Sequence, residues 1–245
     1  MELCYNDLGC YALYENDEYE RKRKMSVQDN IVFILEIIGT VAFAVSGALV
    51  GIRKSMDIFG VCVLGVVTAV GGGAIRDVVV GIIPPNVFRD PVYATVAVLV
   101  SCLVFGVAYF RSFRSSGRLG KLYDGAMLLM DAVGLGIFTV VGVNAGIQQG
   151  HGDNTFLLIF TGTVTGVGGG LLRDIMAGVP PYIFVRHIYA CASIAGAVAC
   201  TLLYRTTGIT TAMFAGVLLV LGIRCLASHY RWNLPRVRME EQVTK

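Results

Sequence analysis

The sequence predicts an all-α integral membrane protein of seven transmembrane helices, arranged as two inverted three-helix repeats plus a seventh helix, with helices 2 and 5 kinked at triple glycines. Three observations predict this: a composition too apolar for a soluble surface, seven apolar runs of spanning length, and a glycine-rich motif that occurs twice. The 245 residues are 55% hydrophobic and only 15% charged, with a mean hydropathy of +0.68. Soluble domains carry about 25% charged residues, so this chain lacks the charge to cover a soluble surface. An outer-membrane barrel is excluded because nothing alternates at period two for long.

A helix needs about 20 mostly apolar residues to cross a membrane. The candidates are Ile31 to Val50, Ile58 to Ile83, Val92 to Phe110, Gly125 to Ile147, Thr155 to Gly178, Ile188 to Tyr204 and Thr210 to Leu226. They divide the chain into a polar N-terminal tail (1–30), a first repeat (31–110), a basic linker (111–123), a second repeat (124–204), a seventh helix (205–227) and a basic C-terminal tail (228–245). The first 30 residues mix acids with bases, unlike a cleavable signal peptide, so span one is expected to act as the insertion signal and remain. The seven cysteines show no C-x-x-C pairing, and five lie in apolar spans, where Cys acts as a small hydrophobe.

The net charge of +3 sits in loops and tails, which reads as topology information and not as a nucleic-acid footprint. Arg53, Lys54, Arg111, Arg114, Arg118, Lys121, Arg186 and the C-terminal bases fall on one side. The positive-inside rule then puts the C-terminus in the cytoplasm and the N-terminus outside. The cluster Arg21, Lys22, Arg23 and Lys24 argues the reverse.

The segment "GVVTAVGGGAIRDVVVGIIPP" from Gly65 has a partner, "GTVTGVGGGLLRDIMAGVPP", from Gly162. Gly71, Gly72, Gly73, Arg76, Asp77 and Gly81 match Gly168, Gly169, Gly170, Arg173, Asp174 and Gly178. A one-residue gap brings Pro84, Pro85 and Tyr93 onto Pro180, Pro181 and Tyr189. Upstream, Glu36, Gly39, Phe43 and Gly47 fall on Asp131, Gly134, Phe138 and Gly142. Three spans per copy is an odd number, so the second copy starts from the opposite side, and a pseudo-two-fold axis lies in the membrane plane.

Each glycine costs a helix interior about 1 kcal/mol relative to Ala. A kink or break is therefore expected at Gly71 to Gly73 and again at Gly168 to Gly170, with the proline pairs stopping the second segments. Freed backbone groups are tolerated in a membrane only where buried in protein or lining a watery cavity. A break in both inverted halves thus points to a binding or conduction site. Carbonyl ends of the first half-helices would suit a cation, and Asp77 and Asp174 would fall in the first turn of the second half-helices. Thr68 and Thr165, one turn earlier, would offer hydroxyls. The competing reading is that the glycines only let helices approach closely.

Four acids lie within spans, Glu36, Asp77, Asp131 and Asp174, against two bases, Arg76 and Arg173, a formal excess of two negative charges. Adjacent helical residues diverge, so the expected pairs cross between repeats: Arg76 with Asp174 or Asp131, and Arg173 with Asp77 or Glu36. Either these six clamp the halves together or they line a polar path that attracts cations. Phe43 and Phe138, at equivalent positions, are core residues or a hydrophobic constriction. No Walker A, G-x-S-x-G, H-E-x-x-H or zinc-finger spacing is present, so no enzyme, cofactor or resident metal is expected.

The duplicated "GGGAIRD" and "GGGLLRD", each followed by a proline pair, closely resemble the trimeric intracellular cation (TRIC) channel family, in its glycine-rich prokaryotic branch, from about Ile31 to Leu226. The resemblance implies a homotrimer in a prokaryotic plasma (inner) membrane, surrounded by lipid, with a pore through each protomer for potassium or sodium, potassium preferred. The pore-associated positions it implies are Gly71 to Gly73, Arg76, Asp77, Gly168 to Gly170, Arg173 and Asp174. The Lys-Glu-Val motif of animal members is absent. The competing functions are a secondary transporter of a small solute using the same broken-helix site and a non-conducting scaffold.

Overall fold

The computed structural model describes residues 3–112, 119–185 and 188–230, with side chains for 28–110, 125–184 and 188–230. Cys4, Cys10, Arg21 to Lys24, Arg111, Arg114, Arg118, Lys121, Arg186 and the tail beyond Tyr230 fall outside those side chains. Helix α1 runs from Leu3 to Arg53. The polar tail joins it because residues 3–30 hold no proline and a single glycine, Gly9. Then come α2 (Ile58–Val79), the single turn α3 (Asn86–Arg89), α4 (Val92–Ser112) and α5 (Leu119–Gly146). A π turn, Ile147–His151, extends α5, followed by α6 (Thr155–Met176), the short α7 (Tyr182–Val185), α8 (Tyr189–Thr207) and α9 (Ile209–His229). Helix thus occupies both ends of the expected linker.

Among the described residues, six helices are long and apolar enough to cross a membrane: Gln28–Arg53 within α1, α2, Val92–Phe110 within α4, Gly125–His151, α6 and α9. The remaining long helix, α8, is not one of them. It is richer in small and polar residues, and it buries Ala192, Ser193, Gly196, Ala197, Cys200 and Thr201 instead.

Helices α1, α2 and α4 pack on one another, as do α5, α6 and α8. The two units meet where α1 lies on α5 and α2 lies on α6, and α9 covers α5 and α8. Contacts fix the directions. Gln28 bonds Asn144, Gly39 faces Phe138, and Phe43 faces Gly134, so numbers rise along α1 as they fall along α5. Sequence-equivalent helices therefore run in opposite directions.

Helices α2 and α6 are each one continuous α-helix through their three glycines. The expected break is absent, and steric need explains the middle glycine of each triplet. A Cβ at Gly72 would collide with the Thr165 carbonyl oxygen, and one at Gly169 with that of Thr68. The two backbones touch where they cross, the close approach that small residues permit. Helix starts are capped alike: Asp57 accepts from the Gly60 N–H at 2.7 Å and Asn154 from the Leu157 N–H at 3.0 Å.

The helix ends are also alike, and the proline pairs do not make them. Gly81 (φ 83°) and Gly178 (φ 62°) take the left-handed conformation. Ile82 N–H bonds the Asp77 carbonyl at 2.7 Å while Gly81 N–H bonds that of Val78 at 3.2 Å. Val179 and Gly178 repeat this on Asp174 and Ile175 at 3.0 and 3.1 Å. This pair of bonds is a Schellman stop, which needs glycine at the reversal.

Candidate functional site

The Schellman stop places Arg76–Asp77 and Arg173–Asp174 in the last turns of α2 and α6, not in the first turn of a second half-helix. Each aspartate faces forward onto the loop. Asp77 Oδ2 accepts the Asn86 N–H and Asp174 Oδ2 accepts the Tyr182 N–H, both at 2.8 Å. Asn86 and Tyr182 directly follow the proline pairs and open α3 and α7, where unmet N–H groups favour a carboxylate. The other carboxylate oxygen turns back to its own neighbour. Arg76 Nη2 lies 2.8 Å from Asp77 Oδ1, and Arg173 Nε lies 2.8 Å from Asp174 Oδ1.

The expected cross-pairs are therefore replaced by pairs within each repeat. Adjacent side chains leave a helix in different directions, but an arginine is long enough to fold back onto a carboxylate held at the helix end. The upstream acids complete the clusters on their own side too: Arg76 Nη1 is 3.8 Å from Glu36 Oε1, and Arg173 Nη1 is 2.6 Å from Asp131 Oδ1.

In the first repeat this cluster borders cavities, although Arg76 and Asp77 are themselves buried. Tyr93 donates to Glu36 Oε2 at 2.5 Å, and the Glu36 side chain is 20% exposed. Two cavities of about 230 and 300 Å³ meet there, both lined by Glu36, Arg76, Asn86 and Tyr93. The first is lined as well by Thr40, Ala69, Gly73, Asp77, Arg89, Asp90 and Phe138. The second adds Asp29, Asn144, Gln148 and Gln149. The Phe138 ring lies 5.2 Å from that of Phe43, and each ring fills a glycine notch in the opposite repeat, Phe43 on Gly134 and Phe138 on Gly39.

In the second repeat the same cluster is closed. Asp131, Arg173 and Asp174 are buried, and neither cavity touches them. Arg173 Nη1 also donates to Ser46 of α1 at 2.5 Å, and its guanidinium carbon sits 5.2 Å from the Tyr182 ring centre. A further base completes the cluster. Arg224 of α9 is 5% exposed, with Nη2 3.8 Å from Asp131 Oδ2 and its guanidinium over the Tyr189 ring at 4.8 Å. The sequence count of two intramembrane bases missed it, although it lies inside the seventh predicted span. The formal excess over both clusters is one negative charge, and all of it belongs to the first.

Of the sequence-predicted positions, Glu36, Gly73, Arg76, Asp77 and Phe138 border the cavities. Thr68, Gly71, Gly72, Thr165, Gly168, Gly169, Gly170, Arg173, Asp174, Asp131 and Phe43 do not. Thr68 and Thr165 each donate back into their own helix, to the Leu64 and Thr161 carbonyls at 2.6 and 2.5 Å. Among the described residues, no three His, Cys, Asp or Glu side chains gather where they could hold a metal ion.

A family described as glycine transporter matches residues 33–109 and 128–205, once on each repeat. The Escherichia coli inner membrane protein YadS, a UPF0126 protein, is 38% identical over 213 residues, covering 86% of this chain and 98% of that protein. A UPF0126 membrane protein of Deinococcus radiodurans is 40% identical over 209 residues, covering 84% and 92%. Among solved structures, the TRIC trimeric intracellular cation channel orthologue from Rhodobacter sphaeroides is 34% identical with TM-score 0.73, covering 82% of this chain and 99% of that one. A prokaryotic TRIC channel in 0.5 M KCl is 31% identical with TM-score 0.74, covering 83% and 98%. The chain belongs to the prokaryotic TRIC family. It is a multi-pass integral membrane protein. The TRIC repeats account for both Arg-Asp pairs, whereas Arg224 lies beyond the second matched segment.

Proposed function

We propose that this chain is a passive, potassium-permeable channel for monovalent cations, with a pore through each protomer between the inverted repeats. The observation that carries the reading is the cavity pair at Glu36. Four carboxylates, Asp29, Glu36, Asp77 and Asp90, line the two cavities against two guanidiniums, Arg76 and Arg89, and a cleft with an excess of negative charge concentrates cations. The path runs inward from Glu36 past Gly73 and is shut at the Phe43–Phe138 pair, a hydrophobic constriction of the kind that gates by excluding water. Opening bends α2 and α6 at their triple glycines. Seven crossing helices, the N-terminus outside and the C-terminus in the cytoplasm of a prokaryotic inner membrane, place these cavities on the outer side. Three protomers assemble, as the trimeric channel from Rhodobacter sphaeroides is described to do. The likeness to cation channels at 31 to 34% identity supports the reading.

Purified protein in planar bilayers under a potassium gradient tests it. Unitary currents reversing near the potassium equilibrium potential are expected. The description of the matched family favours a second reading, a glycine carrier, in which the ammonium would meet Glu36 and the carboxylate Arg76. Saturable glycine uptake by proteoliposomes, with no unitary currents, would establish the carrier and end the channel reading.

A further inference from the structure

We infer that Arg224 is a tethered counter-cation: it occupies, in the second repeat, the place beside Asp131 that a permeating cation would otherwise take, and so limits conduction. The inference rests on the channel reading above. Its ground is the comparison that the duplicated fold supplies. Asp131 corresponds to Glu36 in sequence and, like it, lies beside its repeat's arginine. Among the described residues Glu36 has one base within 4 Å, Arg76, and it opens on a cavity whose wall also carries Arg89. Asp131 meets Arg224, brought by the one long helix outside the repeat, and is buried.

The engagement of Arg224 is loose. Its Nε and Nη2 atoms are buried with no hydrogen-bond partner, and so is Asp131 Oδ2, the oxygen it approaches. At 3.8 Å no direct bond spans the gap. The guanidinium is held by charge and by the face of Tyr189. Buried donors and acceptors left unmet are costly, so this state is poised to rearrange. Asp131, by contrast, is held firmly by Arg173 at 2.6 Å, so removing Arg224 does not strand it.

The test is single-channel recording of the full chain in planar bilayers, comparing wild type with Arg224→Gln, Arg224→Lys and the double variant Asp131→Asn/Arg224→Gln. Arg224→Gln gives the second cluster the same formal excess as the first, and its potassium conductance or open probability is expected to rise by about fivefold, within the range for residues that bias a two-state element. Arg224→Lys keeps the charge and should stay near wild type. The double variant removes both partners together and should conduct no better than wild type. An Arg224→Gln protein that runs as a monodisperse species and conducts no more than wild type overturns the inference. If that variant does not assemble, a double variant that exceeds wild type overturns it equally, and one that does not exceed it upholds it. Silence of wild type and every variant overturns the channel reading and the role of Arg224 together, whereas conducting wild type with unresponsive variants overturns the role alone.

Discussion

The two charge clusters come from one duplicated unit, and they differ in access: one borders cavities that the other does not touch. Around Arg76 two cavities reach the carboxylates; around Arg173 the same constellation is sealed. Three differences separate them. Glu36 is one methylene longer than its counterpart Asp131, and its second oxygen is taken up by Tyr93. Val141 lines the open side, while its counterpart Ser46 bonds Arg173 on the closed one. Helix α9 covers only the second unit and brings Arg224. Duplication supplied the chemistry, and a few side chains with one extra helix divided it into a half that borders these cavities and a half closed to them.

Removing each arginine in turn has the largest expected effect on the two clusters. Arg173→Gln leaves two carboxylates in a sealed site with only the loosely engaged Arg224, and is expected to destabilise the protein by about 4 kcal/mol, the cost of breaking a buried pair. Arg76 is also buried, but it borders the cavities, so Arg76→Gln should cost about 3 kcal/mol, the low end for a broken buried pair. Thermal unfolding in detergent measures both. Equal losses would mean that the two clusters are equally closed.

Substitutions at the third glycines of the two triplets have smaller effects. A methyl at Gly170 would lie 2.6 Å from the Tyr189 hydroxyl, while one at Gly73 would meet only Arg76 Nη2, at 3.9 Å. Gly170→Ala should therefore cost about 2 kcal/mol through overpacking. Gly73→Ala should be near neutral in the same assay, and a large loss there would contradict an open cavity. The smallest effect is expected from the tyrosines. Tyr93→Phe removes a 2.5 Å bond to Glu36, whereas Tyr189→Phe removes one of 3.5 Å to Asp131. A loss of about 1 kcal/mol for the first and less for the second follows from the worth of such bonds. The opposite order would place the stronger anchor on the closed side.

The repeat, and with it the pairing of equivalent helices, was legible because the same residue types recur in register. The role of the glycines was not. Propensity sees only the cost of Gly72 and Gly169 to their own helices, whereas their purpose lies in the opposing carbonyls of Thr165 and Thr68. Likewise, the spacing of Arg76 and Asp77 argues against a pair until the loop beyond Gly81 and Pro85 is known, because the Asn86 N–H aims the carboxylate. Arg224 carried a readable signal, a base inside an apolar run. It sits near the end of its span, where a long side chain usually reaches outward to the interface. Here it turns inward because Asp131 and Tyr189 lie beneath α9.

The crossing of α2 over α6 has a mechanical consequence. Where backbone meets backbone, few interlocked side chains must be unthreaded before one rod turns against the other, chiefly Leu172 on Gly71 and Ile75 on Gly168. Such a point is a fulcrum: it fixes where the rods touch and leaves the angle between them to be set farther out. The restraint on that angle falls to the arginine–aspartate ends of both helices, so a change of charge at either end acts on a lever.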